Sequence, residues 1–375
     1  MSNKIRVGIT QGDFNGVGPE IILKSLAEEE MVSIITPVVF ADWRIIEQAR
    51  VAFGLEMPAM KRIQHASEAE EGCVNIVDVH MRDVTVTPGC PSQASGEGSV
   101  AALDAAVAAL KQGEVDVLVT APISKEAVQS NKFSFHGHTE YLNAKAGDEF
   151  TAQMILFDDY LRVALLTTHV AVADIPANVT RDRIHSCVRS FDATLRRDFG
   201  IERPKIAVLS LNPHCGDGGL LGDEEAREIS PAIEDCIADG LLAFGPYAAD
   251  GFFGAGSYTN FDGVLAMYHD QGLAPFKALA RESGVNFTAG LPFVRTSPDH
   301  GTAYDIAWKG EASPVSMRQA IYEAVDIFRR RVRYDEAASD PLRHQQADKA
   351  PKSDRPRRAP GQQHDADTDN ETNAD

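Results

Sequence analysis

Six short apolar runs, rich in β-branched residues, recur along the chain at Ile5–Ile9, Ile35–Phe40, Val115–Thr120, Val163–Thr167, Ile206–Leu211 and Gly263–Tyr268. Each is nearly continuous in hydrophobicity rather than alternating, and each is followed by a loop. A strand covered on both faces has this signature, because neither face is given to water. Between the runs lie stretches with apolar residues at helical spacing, among them Ser99–Lys111 and Glu224–Asp239. Strand runs alternating with helices predict an α/β/α architecture around a parallel sheet, not a bundle or a sandwich. With 375 residues, 43% of them hydrophobic, the chain can bury a large core as one big domain or two packed lobes.

The formal net charge is −19, so the molecule as a whole repels nucleic acid and anionic membrane, and neither is expected as a partner. An anionic substrate then needs a local basic site that overcomes the global field. Five cysteines, Cys73, Cys90, Cys187, Cys215 and Cys236, are scattered and never spaced as CxxC. A reduced cytoplasmic protein accounts for them better than a disulfide framework or a thiolate zinc site. No stretch approaches the length of a transmembrane helix, and Met1 to Gln11 holds only the strand-like IRVGIT.

A last helix is expected over Pro314–Arg333, ending in the basic cluster Arg329, Arg330, Arg331 and Arg333. These cations either complement the helix dipole or bind a ligand. From about Glu336 the composition turns to Gln, Asp, Pro, Arg, Asn and Ala, and such a segment cannot offset its ordering entropy, so 336–375 is expected to be a disordered polar tail. Within it KSDRPRR is flanked by acidic residues, which argues against a nucleic-acid patch.

Three of the apolar runs end in the same way. VALLTTH closes on His169, IAVLSLNPH on His214 and GVLAMYH on His269. Parallel sheets bind ligands beyond the carboxyl ends of their strands, so three imidazoles delivered there can converge. Three neutral imidazoles with open coordination positions suit zinc, cobalt or manganese; the alternative is three hydrogen-bonded loop residues. Asp270, Asp174 and Asp217 lie near enough in sequence to orient an imidazole.

Two further stretches point to anion binding. In GHTEYL, His138 and Thr139 can donate to a phosphate or carboxylate, or Thr139 can cap the helix that follows. In KALARESGVNFTAGLPFVRTS, Lys277, Asn286 and Arg295 are embedded in apolar, glycine-rich sequence. Burying Lys277 or Arg295 is costly unless it meets an anion, and Arg suits bidentate phosphate recognition; surface solvation is the alternative. The opening QGDFNGVGPEII matches neither the dinucleotide fingerprint nor a Walker loop, and Pro19 simply starts a helix after a tight turn. There is no GxSxG, so acyl hydrolysis has no support.

Taken in order, GDFNGVGPE, VTAPISK, FHGHTEYL, TTH with a following DIP, NPHCGDGGLLGDEE, AMYHDQGLAPFK and VNFTAGLPFVRTSPDHGTAYDIA make the chain resemble the 4-hydroxythreonine-4-phosphate dehydrogenase family of pyridoxal phosphate biosynthesis, up to about residue 330. A more distant likeness is to isopropylmalate and isocitrate dehydrogenases. The resemblance implies a two-lobed isocitrate-dehydrogenase-like fold, with 1–130 and 305–335 forming one lobe and 131–304 the other. It implies a homodimer whose site is shared across the interface, His269 completing the metal set of the partner subunit that holds His169 and His214. The metal is expected to be zinc foremost, with cobalt, manganese or magnesium as alternatives. Substrate contacts are implied at His138, Thr139, Lys277, Asn286 and Arg295, with Lys277 also assisting proton removal. NAD or NADP is expected along the loops holding Gly290, Leu291, His300 and Gly301.

The implied reaction oxidises 4-phosphooxy-L-threonine to 2-amino-3-oxo-4-phosphooxybutanoate, which loses carbon dioxide to give 3-amino-2-oxopropyl phosphate. A sister branch acts on phosphothreonate or phosphoerythronate with the same chemistry. A metal hydrolase or a non-catalytic binding protein are the readings from other classes. The long tail and the DFN and TAP loops depart from the family pattern, and the loops bear on substrate choice more than on reaction type.

Overall fold

The computed structural model describes residues 4–82, 84–129, 133–135 and 137–339. Its strands make one twelve-stranded sheet. β1 (Ile5–Thr10), β2 (Ile35–Ala41), β3 (Met60–Ile63), β4 (Val74–Asp78), β5 (Val117–Thr120) and β12 (Arg295–Pro298) form a parallel block in the order β3-β4-β2-β1-β5-β12. β7 (Arg162–Leu165), β8 (Lys205–Leu209), β9 (Leu242–Tyr247) and β10 (Gly263–Ala266) form a second, in the order β7-β10-β8-β9. Between the blocks stand β11 (Val285–Ala289) and β6 (Gln153–Phe157), and the pairings β12–β11, β11–β6 and β6–β7 are all antiparallel. Three successive reversals leave the two parallel blocks running in opposite directions.

The six apolar runs are β1, β2, β5, β7, β8 and β10, each within a few residues of its expected limits. All lie in the parallel blocks, and their central residues are fully buried, as with Val7, Val38, Val117, Val163, Ile206 and Leu265. The wholly parallel sheet expected from them is corrected at the centre. β6, β11 and β12 carry Gln153, Asn286, Thr288, Arg295 and Ser297, so they never read as continuous apolar runs. They take polar residues because one of their faces is a cleft.

The last helix spans Val315–Ser339 and covers the other face of the central strands, where the Thr296 hydroxyl donates to the Ala320 carbonyl at 2.7 Å. It passes the expected start of the tail at 336, because Asp335 is held by a bidentate bond from Arg197 at 2.9 and 2.6 Å. Residues 340–375, with KSDRPRR, fall outside the described residues. The basic cluster is largely spent on structure. Arg331 turns inward and grips Asp198 through Nε at 2.8 Å and Nη2 at 3.0 Å, while Nη1 donates to the Leu291 carbonyl. Arg329 and Arg330 lie beside Asp326 and Glu323 of the same helix.

The glycine turn after β1 is locked from several sides. Asp13, fully buried, accepts from the Asn15 amide at 2.9 Å, the Ser95 hydroxyl at 3.0 Å and the Tyr304 hydroxyl at 2.8 Å. Asn15 donates to the Cys90 carbonyl and to Ser92, and the Val17 amide donates to the Thr302 carbonyl. The DFN loop therefore fastens the 300–304 segment to the first turn, and neither polar side chain lines the cleft.

The Arg331–Asp198 pair is almost fully buried, at 6% and 3% exposure. Removing one partner strands a charge, whereas removing both does not. Asp198→Ala is expected to lower unfolding free energy by about 3–5 kcal/mol in denaturant titration, and Asp198→Leu combined with Arg331→Met by markedly less. Equal losses in the single and double variants would show that the pair is not a desolvated ion pair.

Candidate active site

Side chains alternate across a strand, so the pairing of Asn286 with Ser297 and of Thr288 with Met154 puts these residues and Arg295 on one face of β12, β11 and β6. Over this face lie the loop after β5 with Lys125, the start of the helix His138–Ala146, and His169. Together they enclose a cleft of about 210 Å³. It gathers His138, Thr139, His169, Asn286, Arg295, His300 and Gly301 out of the residues singled out in the sequence.

Arg295 lies at the floor, 2% exposed. Its Nε and Nη2 donate to the Thr120 hydroxyl at 3.1 and 2.6 Å, and Nη1 donates to Thr288 at 2.9 Å. Burial pulls its pKa down to about 9 against the opposing attraction of Glu140. A guanidinium stays charged in proteins, and hydroxyl groups carry no charge to balance it. Among the described residues, His138 Nε2 and Asn286 Oδ1 are buried in the cleft without a hydrogen-bond partner. Leaving such a group unmet costs about 1–3 kcal/mol. A cleft holding a poorly compensated cation and two orphaned polar atoms is built for an anionic, hydrogen-bonding ligand.

Burial, and secondarily the charge of Arg295, hold the His138 imidazole well below its ordinary value of 6.5. It is therefore neutral, with one ring nitrogen able to donate. Thr139 is not the cap of its helix. Gly137 occupies that position, and Thr139 lies in the first turn, facing the cleft.

The three histidines follow the carboxyl ends of β7, β8 and β10, which are neighbours in the sheet. His169 and His269, on adjacent strands, have ring centroids 6.3 Å apart. Asp270 Oδ1 lies 2.7 Å from His269 Nδ1, so an ionised carboxylate holds the proton there and leaves Nε2 free to ligate. Asp174 and Asp217 make no such bond among the described residues. His169 has Lys125 Nζ at 3.4 Å from Nε2 and Glu140 Oε1 at 3.7 Å from Nδ1.

His214 does not join this pair. It faces a neighbouring cleft with Asn212, Tyr268 and Gln271, and no group of three metal-capable side chains occurs among the described residues. The cause is backbone. His214, Cys215, Gly216, Asp217 and Gly218 are all left-handed, with φ of 54, 54, 80, 44 and 65°. For the three non-glycine residues that conformation costs roughly 1–2 kcal/mol each. Within one chain, then, His169 meets His269, where the resemblance implied His169 with His214. Two imidazoles with open positions fit part of a metal site, and the described residues of one chain bring no third His, Cys, Asp or Glu to complete it.

Lys277 donates to the Asp299 carbonyl at 2.6 Å and pairs with its carboxylate at 2.9 Å. Burial raises the Asp299 pKa against the pull of Lys277, His300 and His269, which places all four around one corner next to the cleft. His300 and Gly301 line the cleft, but Gly290 and Leu291 do not. Gly290 has φ 78° and a Cβ there would lie 2.2 Å from the Thr151 carbonyl, while Leu291 is buried beside Phe133 and Tyr141.

Sequence reasoning missed Lys125, Thr120, Glu140 and Ser297. Lys125 is an exposed cation directed at His169 in the TAPISK loop. Its position just past the β5 run was the available signal, of the same kind that drew attention to the histidines. Thr120 and Ser297 carry no such mark, since each becomes a site residue only through the pairing of distant strands.

Residues 33–324 match the family model described as pyridoxal phosphate biosynthetic protein PdxA. A 4-hydroxythreonine-4-phosphate dehydrogenase from Bacteroides thetaiotaomicron is 50% identical, over 94% of this chain and 97% of its own. A D-threonate 4-phosphate dehydrogenase from Pectobacterium atrosepticum is 39% identical, over 86% and 98%. The crystal structure of 4-hydroxythreonine-4-phosphate dehydrogenase from Klebsiella pneumoniae superposes with a TM-score of 0.74 at 35% identity, covering 87% of this chain and 98% of that one.

His138 is neutral in the folded protein and titrates near 6.5 once unfolded. The unfolded state thus binds the extra proton, and this contribution to stability is full above 6.5 and is lost as pH falls below it. His138→Asn is expected to flatten the acid-side decline in melting temperature over that window. An unchanged slope would mean that the imidazole is not buried in its neutral form.

Proposed function

The chain belongs to the family of the pyridoxal phosphate biosynthetic protein PdxA, and from that premise we propose that it is a 4-hydroxythreonine-4-phosphate dehydrogenase using NAD or NADP. The observation that carries this reading is the buried Arg295, whose hydrogen bonds among the described residues go only to hydroxyls, at the floor of a cleft that also presents His138, Thr139 and Asn286. Arg295 takes an anionic end of the substrate, and His138 and Thr139 bind beside it, so that the reacting carbon is held in one orientation. Asn286 meets the polar backbone of the substrate, its amide turned to suit. Glu140, also in the cleft, supplies an acidic partner for the substrate ammonium. That favours 4-phosphooxy-L-threonine over phosphothreonate, which is the second reading because a relative bears that name.

A divalent metal held by His169, His214 and His269 would supply Lewis acidity toward the secondary hydroxyl. His300 and Gly301, which line the cleft, would hold the nicotinamide, whose chemistry there would be that of a hydride acceptor. Lys277, tethered to Asp299 beside this corner, is assigned a contact to the substrate and, after its ammonium has given up a proton, removal of the hydroxyl proton. The product is a β-keto acid that loses carbon dioxide. Because the described residues of one chain pair His169 with His269 and add no third ligand, the metal set is taken as completed between two copies, and a homodimer is part of this reading. Five free cysteines accord with a reducing cytoplasm.

The test is nicotinamide reduction by the purified protein with 4-phosphooxy-L-threonine and with phosphothreonate, each with and without chelator. Turnover that prefers the amino substrate and stops with chelator is expected, and His214→Ala should lose bound metal with the fold retained. Absence of nicotinamide reduction with either substrate would overturn the reading.

A further inference from the structure

We infer that Glu225 is the positioning residue that holds the left-handed turn presenting His214, an inference that rests on His214 being a metal ligand. Glu225 is 5% exposed, and neither lysine nor arginine pairs with it among the described residues. A carboxylate buried in this way survives only by accepting hydrogen bonds. Its Oε1 accepts from the Leu211 amide at 2.8 Å and the Asn212 amide at 2.7 Å, and its Oε2 accepts from Asn212 Nδ2 at 3.0 Å. Leu211 and Asn212 are the last residues before Pro213 and the left-handed run that begins at His214.

The same carboxylate packs on the middle of that run. A Cβ on Gly216 would stand 2.9 Å from Glu225 Oε2 and 2.7 Å from the Gly222 carbonyl, so glycine is required there. The Leu221 amide donates to the Gly216 carbonyl at 3.0 Å, closing the far side. At the entry to the turn Glu225 accepts from both backbone amides, while the Ser210 hydroxyl donates to the Asn212 carbonyl at 3.0 Å and Asn212 Nδ2 also donates to Glu224 at 2.7 Å.

Below the turn, Gln271 joins the strand ends. It donates to the Ser210 carbonyl at 2.6 Å and accepts from the Met267 amide at 2.7 Å, and Thr167 donates to the Met267 carbonyl at 2.7 Å. The segments bearing His169, His269 and His214 are thus hydrogen-bonded into one belt, of which Glu225 is the outer clasp. Without Glu225 the amides of Leu211 and Asn212 lose the acceptor that sets the angle from which the strained left-handed run is entered, and the imidazole of His214 swings off its direction. Glu225 itself touches no substrate.

The experiment is cobalt(II) titration of the full-length protein, followed by the visible bands of the bound ion, for wild type, Glu225→Ala, Glu225→Gln and His214→Ala. Glu225→Ala is expected to bind cobalt about 10–100-fold more weakly with altered bands and an intact circular-dichroism spectrum. Glu225→Gln, whose amide oxygen still accepts from both backbone amides, should recover most of the affinity. If Glu225→Ala fails to fold, Glu225→Asp carries the test, since it keeps the charge but draws the oxygens back by one methylene, and weakened cobalt binding is again expected. Wild-type titration by the Ala or Asp variant while His214→Ala loses cobalt overturns the inference alone. Wild-type titration by His214→Ala overturns the metal reading and this inference with it.

Discussion

A full positive charge sits almost out of water in the middle of the sheet, and among the described residues its hydrogen bonds reach only hydroxyl groups. The organisation of the cleft follows from that arrangement at Arg295. Thr120 and Thr288 orient the guanidinium but cannot neutralise it, and Glu140 offsets only part of the burial. A folded protein tolerates such a group where a ligand supplies the missing charge. The neutral His138 and the orphaned Asn286 oxygen border the same space, so the charge, the donors and the shape all describe an anionic ligand.

The sheet makes room for it by reversing direction. The central residues of the six apolar strands are buried on both faces, whereas β12 and β11 pack against the last helix on one face. Their other face is free to carry polar side chains. Parallel pairing of β7, β10 and β8 places their carboxyl ends side by side, which is why three strand-end histidines leave the sheet at the same edge. Adjacency alone unites His169 with His269. His214 depends in addition on a left-handed turn, and its direction is set by groups on another segment.

What the sequence made legible divides along the same lines. β-branched runs buried on both faces announce themselves, so six strands of the parallel blocks could be read in advance. The central strands could not, because Asn286, Thr288 and Arg295 interrupt their apolar pattern. Those interruptions marked Asn286 and Arg295 as site residues even though the strands holding them went unseen. Gly290 and Leu291 illustrate the reverse case. They lie in the marked stretch, yet tight backbone packing and core burial explain both. The left-handed run was hidden for a plainer reason, since its support comes from Glu225, which nothing local to His214 reveals.

The central claim is that Arg295 is kept for a ligand and not for the fold, and unfolding of Arg295→Met with and without 4-phosphooxy-L-threonine tests it most directly. Without ligand, the variant is expected to unfold at a denaturant concentration equal to or above that of the wild type, because a poorly compensated buried charge has been removed. The substrate should raise the midpoint of the wild type and leave the variant where it was. A variant strongly destabilised on its own, yet still stabilised by the substrate to the same degree, would contradict the account.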